Sequence, residues 1–323
     1  MTPIIKQSNK HPYGLYILAL GESCERFSFF GLLTSLVLYV NQYFGFKDNA
    51  SYTLYGSFIA LSYALPILGG IVADRLLGLR NALILGAIFI IVGDIILAFK
   101  DISSLYFGLA FIVCGVGFYK PNTTALVGQL YQQHDPRRER GFSLFYVMLN
   151  IGAALGPFVY GFAIHWWGWS SAFIISAIAV TIALTLFLRH HKHIPVAPAN
   201  SLPLLANLKS NSYICIIYLL AMIATGAVAI LFVFPNALKW MLIAATVLAV
   251  TVIMLTAMHY DKTVKKRLLG IMILMLFMLF FFVASAQIGS SMVLFLHRDV
   301  DRHLFNWEIP TIVYSALDPL FVV

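Results

Sequence analysis

Residues 14–43 read GLYILALGESCERFSFFGLLTSLVLYVNQY. The stretch is long enough to cross a bilayer, which takes about 20 predominantly apolar residues in a helix. Yet its middle carries Glu22, Glu25 and Arg26. At i, i+3 and i+4 these three share one helical face. A charge at the bilayer centre costs about 2.5–3.5 kcal/mol on insertion scales. That face therefore cannot point at lipid and must meet other helices or a wet cavity. Two acids and one base also leave an excess negative charge, so a further cation is expected nearby. One such helix implies a bundle, and the fold class is an all-α polytopic membrane protein.

The rest of the chain supplies the bundle. Further apolar runs cover about 52–73, 81–99, 103–131, 141–166, 170–188, 213–233 and 237–258, a ninth covers 268–296, and a tenth starts near 311. Only 11% of residues are charged and 61% are hydrophobic, against about 25% charged in a soluble domain. Mean hydropathy is +0.88. A water-soluble protein is excluded. The net charge of +8 reflects loop lysines and arginines rather than a nucleic-acid surface. The three cysteines, Cys24, Cys114 and Cys215, all lie inside apolar runs. No metal-ligand spacing, HExxH, GxSxG, phosphate loop or dinucleotide fingerprint is present, so no metal, cofactor or enzymatic activity is expected.

Basic residues orient the bundle. Lys6, Lys10, Arg75, Arg80, Arg137, Arg138, Arg140, Arg189, Lys192, Lys209, Lys262, Lys265, Lys266 and Arg267 fall on one side, and Lys47, Lys100, Lys239, Arg298 and Arg302 on the other. The alternation holds if 213–233 and 237–258 form a hairpin, and it makes the N-terminus cytoplasmic. The Pro- and His-containing segment 189–212 reads as a cytoplasmic linker. The organisation expected is a six-helix bundle over 1–188, the linker over 189–212, a helix hairpin over 213–258, and a further helix plus the start of another over 259–323. Six helices, a linker and more helices is half of a two-bundle transporter plan, with substrate held between the halves.

Lys120 is the other cation inside an apolar run, in Gly115-Val-Gly117-Phe-Tyr-Lys120-Pro121-Asn122. It can meet a substrate carboxylate or one of the glutamates. A buried carboxylate whose cationic partner can leave is placed to take up and release a proton. Asp74, Arg75 and Arg80 follow Gly69-Gly70 in the next loop, where Asp74 can cap a helix end and pair with an arginine as a latch. Asn150 precedes Gly152 and Gly156, a small-xxx-small packing face; ligand contact and helix glue are both open to it. Gln287 is the lone strong polar group in the core of its helix and is expected to face the pathway. Tyr63 reads as core filler, Asp94 as structural or solvated, and His190-His191-Lys192-His193 as a solvated loop.

In combination, Glu22-x-x-Glu25-Arg26-Phe27-Ser28, the Gly69-Gly70…Ala73-Asp74-Arg75 loop, Lys120-Pro121-Asn122 and Phe145-Tyr146…Asn150-x-Gly152-Ala153 resemble the proton-dependent oligopeptide transporter family of the major facilitator superfamily. The resemblance implies proton-driven uptake of di- and tripeptides across the cell (inner) membrane, protons as coupling ion and no other cofactor. It assigns proton coupling to Glu22, Glu25, Arg26 and Lys120. It assigns substrate binding to Phe29, Phe30, Tyr63, Lys120, Asn150, Gln287 and Asp318, and a conformational latch to Asp74, Arg75 and Arg80. The chain departs from the family at Phe29-Phe30 in place of a tyrosine pair, Leu33 in place of a basic or amide residue, Ala286 in place of an acid and Asp318 in place of an asparagine. The second bundle is expected to be incomplete, so transport is expected to need a separate chain supplying it. The alternatives are a carrier for another solute, or a non-transporting half that needs a partner.

Overall fold

A computed structural model describes residues 10–194, 210–304 and 307–321. Most of the expected linker, including Lys209, and the expected loop cation Lys6 lie outside the described residues. Among the described residues nine helices are long and apolar enough to cross a membrane. The chain is a multi-pass membrane protein.

Helix α1 (Tyr13–Leu38) runs on through a π turn at Tyr39–Tyr43. It is followed by α2 (Asp48–Val72), a second π turn at Ala73–Leu77, α3 (Leu79–Leu97), α4 (Ile102–Gln129), α5 (Arg138–Trp167) and α6 (Trp169–His190). The prolines inside α2, α4 and α5 (Pro66, Pro121 and Pro157) are tolerated because neighbouring helices accommodate such breaks at membrane depth. These six helices pack together, α1 against α5 and α6, and α4 against α2 and α3. Helix α1 is the most enclosed of all the spans, as its charged face requires.

Close approach depends on glycine at several contacts. A Cβ on Gly152 would collide with the Ser23 backbone of α1, and one on Gly69 with the Gly117 carbonyl of α4. Apolar side chains gain little by leaving lipid for a helix interface, so interhelical contact relies on such close backbone packing.

Helices α7 (Ser210–Val233) and α8 (Pro235–Met258) follow one another with only Phe234 between them. Helix α7 lies on α4, and the Tyr218 hydroxyl donates to the Asn81 carbonyl at 2.9 Å. The ninth apolar run is two helices, α9 (Lys262–Ala286) and α10 (Ser291–Arg298). The break comes at Gln287–Ser290, a Gly- and Ser-containing turn. Two-residue strands β1 (His303–Leu304) and β2 (Trp307–Glu308) pair antiparallel, with His303 opposite Glu308. A 3₁₀ turn at Thr311–Ala316 and α11 (Leu317–Leu320) pack on α5. The tenth run therefore opens as a 3₁₀ turn rather than as α-helix.

Candidate functional site

The three charges of α1 are buried together. The Arg26 Nε and Nη2 both donate to the Glu25 carboxylate, a two-point contact. Glu22 is held more loosely: its Oε1 lies 3.6 Å from Arg26 Nε, and its Oε2 has no hydrogen-bond partner. Bidentate geometry fixes the guanidinium on Glu25, which leaves Glu22 the freer acid. Lys120 makes no ion pair within 4 Å among the described residues.

A cavity of about 480 Å³ adjoins this cluster. From α1 it is lined by Phe29, Phe30, Leu33 and Thr34, and from α2 by Tyr55, Ile59 and Tyr63. The C-terminal end of α9 contributes Ser285 and Ala286, the break after it Gly289, and α11 Asp318. Three of the lining rings, those of Phe29, Phe30 and Tyr63, face the ion cluster. The Arg26 guanidinium sits 4.7 Å from the Phe29 ring centre, and Lys120 Nζ 5.5 Å from that of Tyr63. Cluster and cavity are thus separated by a single layer of side chains. Tyr63 is exposed to the cavity and is not core filler.

Other expected site residues lie elsewhere. Asn150 is buried and spends its amide on its own helix, Nδ2 donating to the Tyr146 carbonyl at 2.9 Å. Gln287 is exposed at the α9–α10 break but does not line the cavity. Asp74 and Arg75 are exposed and make no hydrogen bond or ion pair among the described residues. Arg80 does reach across the bundle, its Nη2 donating to the His191 and Ile194 carbonyls at 3.3 Å. The histidine segment is not simply solvated, because His190 and His193 meet the Tyr13 ring edge to face. In the neighbouring loop Asp135 accepts hydrogen bonds from Arg137, which hold its carboxyl below the usual carboxylate range.

Two features escaped the sequence reading. Tyr55 and Ile59 precede Tyr63 by eight and four residues, so helical periodicity alone puts them on the Tyr63 face. Asp94 is not solvated: it is fully buried and accepts a 2.9 Å hydrogen bond from Ser28 on α1. Its position toward one end of an apolar run gave no hint of that contact. At the far end of the bundle Arg298 forms a bidentate pair with Asp48, at 2.7 and 2.9 Å.

The POT family model matches residues 80–323. The chain is 31% identical to the uncharacterised transporter YclF of Bacillus subtilis (strain 168), over 97% of this chain and 66% of that protein. It is 30% identical to the peptide transporter YePEPT of Yersinia enterocolitica subsp. palearctica serotype O:3 (strain YE-P4), over 97% of this chain and 65% of the relative. It thus spans just under two thirds of the length of these relatives. A crystal structure of a POT family transporter in complex with 5-aminolevulinic acid superposes with a TM-score of 0.79 at 26% identity, over 97% of this chain and 68% of that one.

Proposed function

The chain belongs to the POT family, and from that premise we propose that it supplies the proton-coupling centre and one wall of the substrate site of a di- and tripeptide:proton symporter. The support is the single layer of side chains between the ion cluster and the cavity. A peptide carboxylate arriving beside Tyr63 draws Lys120 toward the cavity. Glu22, already loosely held, then loses a nearby positive charge and takes up the proton. Glu25 keeps Arg26 throughout. Asp318 faces the peptide ammonium across the same cavity. Asn150 and Gln287 join the site only when α5 and the α9–α10 break turn toward it. Asp74 and Arg75 latch only in a conformation that brings a partner to them, with Arg80 already anchored. Protons are the coupling ion, the membrane is the cell (inner) membrane, and the N-terminus is cytoplasmic. The segments 1–188, 189–212, 213–258 and 259–323 act as bundle, linker, hairpin and the beginning of a second bundle. Alternating access rocks one bundle against the other, so transport requires a complete second bundle beside this one.

A second reading is favoured by the lining itself. Phe29, Phe30 and Leu33 make it strongly apolar, and Asp318 is the one carboxylate in it. That combination suits an apolar amine as well as a peptide.

The test is uptake of labelled dialanine into proteoliposomes under an inward proton gradient, by the chain alone and with the C-terminal bundle of a relative supplied in trans. Gradient-driven uptake with the second bundle, lost in Glu22→Gln and in Lys120→Ala, is the expected result. Uptake that ignores the gradient would overturn the coupling role. Preference for phenethylamine over dialanine would favour the second reading.

A further inference from the structure

Three buried carboxyl groups share this part of the membrane core, Glu22, Glu25 and Asp94, and two cations, Arg26 and Lys120. Arg26 is committed to Glu25 and touches Glu22. Asp94 has no cation within ion-pair distance among the described residues. It is 0% exposed, with Oδ2 bonded to Ser28 and Oδ1 without any partner. A carboxylate so placed would be an uncompensated buried charge, whereas the neutral acid leaves only one polar group unsatisfied.

Beyond the Ser28 hydroxyl, the described residues of the helices around Asp94 offer no cation to offset a charge. Helix α1 presents Ser28 and, one turn earlier, the acidic Glu25 with Arg26 bound to it; Cys24 lies on the same helix. Helix α5 presents Tyr160, whose hydroxyl is engaged with Ser176 of α6 at 2.7 Å. The buried residues of α6 include no titratable side chain, and those of α4 include only Cys114 and Tyr119.

We propose that Asp94 is a second proton-bearing acid of this core, a carboxylic acid that stays neutral while Ser28 packs against it and so holds α1 on α3. It is a positioning residue for the Glu25–Arg26 pair: ionising it would place a third negative charge beside that pair and push α1 away. The inference rests on the proton-coupling reading for its use in transport, though not for its charge state. Asp94 then makes the seating of α1 depend on a proton that substrate never touches.

Infrared spectroscopy of the reconstituted chain tests this directly. A carbonyl band of a protonated carboxylic acid should be present at neutral pH, vanish in Asp94→Asn and persist in Glu22→Gln. A second measurement reads the positioning role. Alkylation of Cys24, followed by mass spectrometry, should accelerate at alkaline pH more in the wild-type chain than in Asp94→Asn, which preserves shape and neutrality and shows the intrinsic thiol rise alone. An unchanged carbonyl band in Asp94→Asn would overturn the proposal, and so would identical pH profiles of Cys24 labelling. Failure of dialanine uptake would instead sink the symport reading and leave the infrared result standing.

Discussion

Two arginine–carboxylate pairs with the same bidentate chemistry occupy opposite environments in this protein. Glu25–Arg26 is sealed in the core of α1, both side chains nearly without exposure. Asp48–Arg298 joins α2 to α10 at one end of the bundle, with both side chains more than 40% exposed. Burial raises the stakes in the first pair, since each partner is costly without the other. In the second, water competes for both ions and salt screens them. The first pair can therefore anchor a helix and bias a proton site, whereas the second can only set how readily two helix ends part. Variants that break each pair separately test that contrast.

The largest effect is expected from Arg26→Ala. It leaves Glu22 and Glu25 buried without their guanidinium, and breaking a buried pair from one side costs about 3–5 kcal/mol. Thermal unfolding in detergent should show the loss, and proton-driven uptake should disappear. Survival of full stability would mean that water reaches the cluster, and the contrast with Asp48–Arg298 would collapse. Next in size is Gly152→Val, which leaves the pair intact but drives a side chain into the Ser23 backbone. Overpacking of this kind costs about 1–3 kcal/mol. It should also loosen Glu25–Arg26 by displacing α1 from α5, seen as faster labelling of Cys24.

These two variants touch what the sequence makes most legible. Charges inside an apolar run must be paired or wet, so the spacing of Glu22, Glu25 and Arg26 by itself announces a shared buried face. Gly152 and Gly156 likewise announce a tight helix contact, although nothing in their spacing says that the partner is α1. What stays hidden depends on which side chains meet across helices. Asp94 is a single acid near a helix end, and only the packing of α3 beside α1 puts it under Ser28. Asp48 and Arg298 are 250 residues apart, so their pairing has no sequence signal. Gln287 reads as a pathway residue because it interrupts an apolar run. In fact the run itself breaks there, and Ser285 and Ala286 at the end of α9, with Gly289 in the turn, line the cavity instead.

An intermediate effect should come from Glu22→Gln, and it should be one of function rather than fold. Glu22 holds Arg26 at only 3.6 Å and leaves Oε2 unpartnered. Replacing it by a neutral amide removes a charge that was incompletely matched. Stability should fall far less than in Arg26→Ala, because the amide removes a buried charge while Arg26 keeps Glu25 as its partner. Dialanine exchange down its own gradient should persist while acceleration by an inward proton gradient is lost. A stability loss as large as that of Arg26→Ala would show that Glu22 is as tightly committed as Glu25, leaving no free acid to take up a proton.

The smallest effect is expected from Asp48→Asn. The pair is exposed, and α10 keeps other contacts at the same end, with Gln42 Nε2 2.8 Å from His297 Nε2 and Arg298 Nη2 3.3 Å from Asn41 Oδ1. Unfolding temperature should therefore hardly move. What should move is the separation of α2 and α10, measured by pulsed electron resonance between spin labels on the two helices. At low ionic strength the variant should show a longer mean separation than the wild-type chain. As salt approaches about 1 M, where the screening length falls to about 3 Å, the two distributions should converge. Exchanging the charges, with Asp48→Arg and Arg298→Asp together, should restore the short separation at low salt, because attraction between exposed ions depends on sign and distance and not on which helix carries which. If salt fails to bring the wild-type chain and Asp48→Asn together, the pair is shielded in a way its exposure does not suggest, and it would belong with Glu25–Arg26 rather than opposite it.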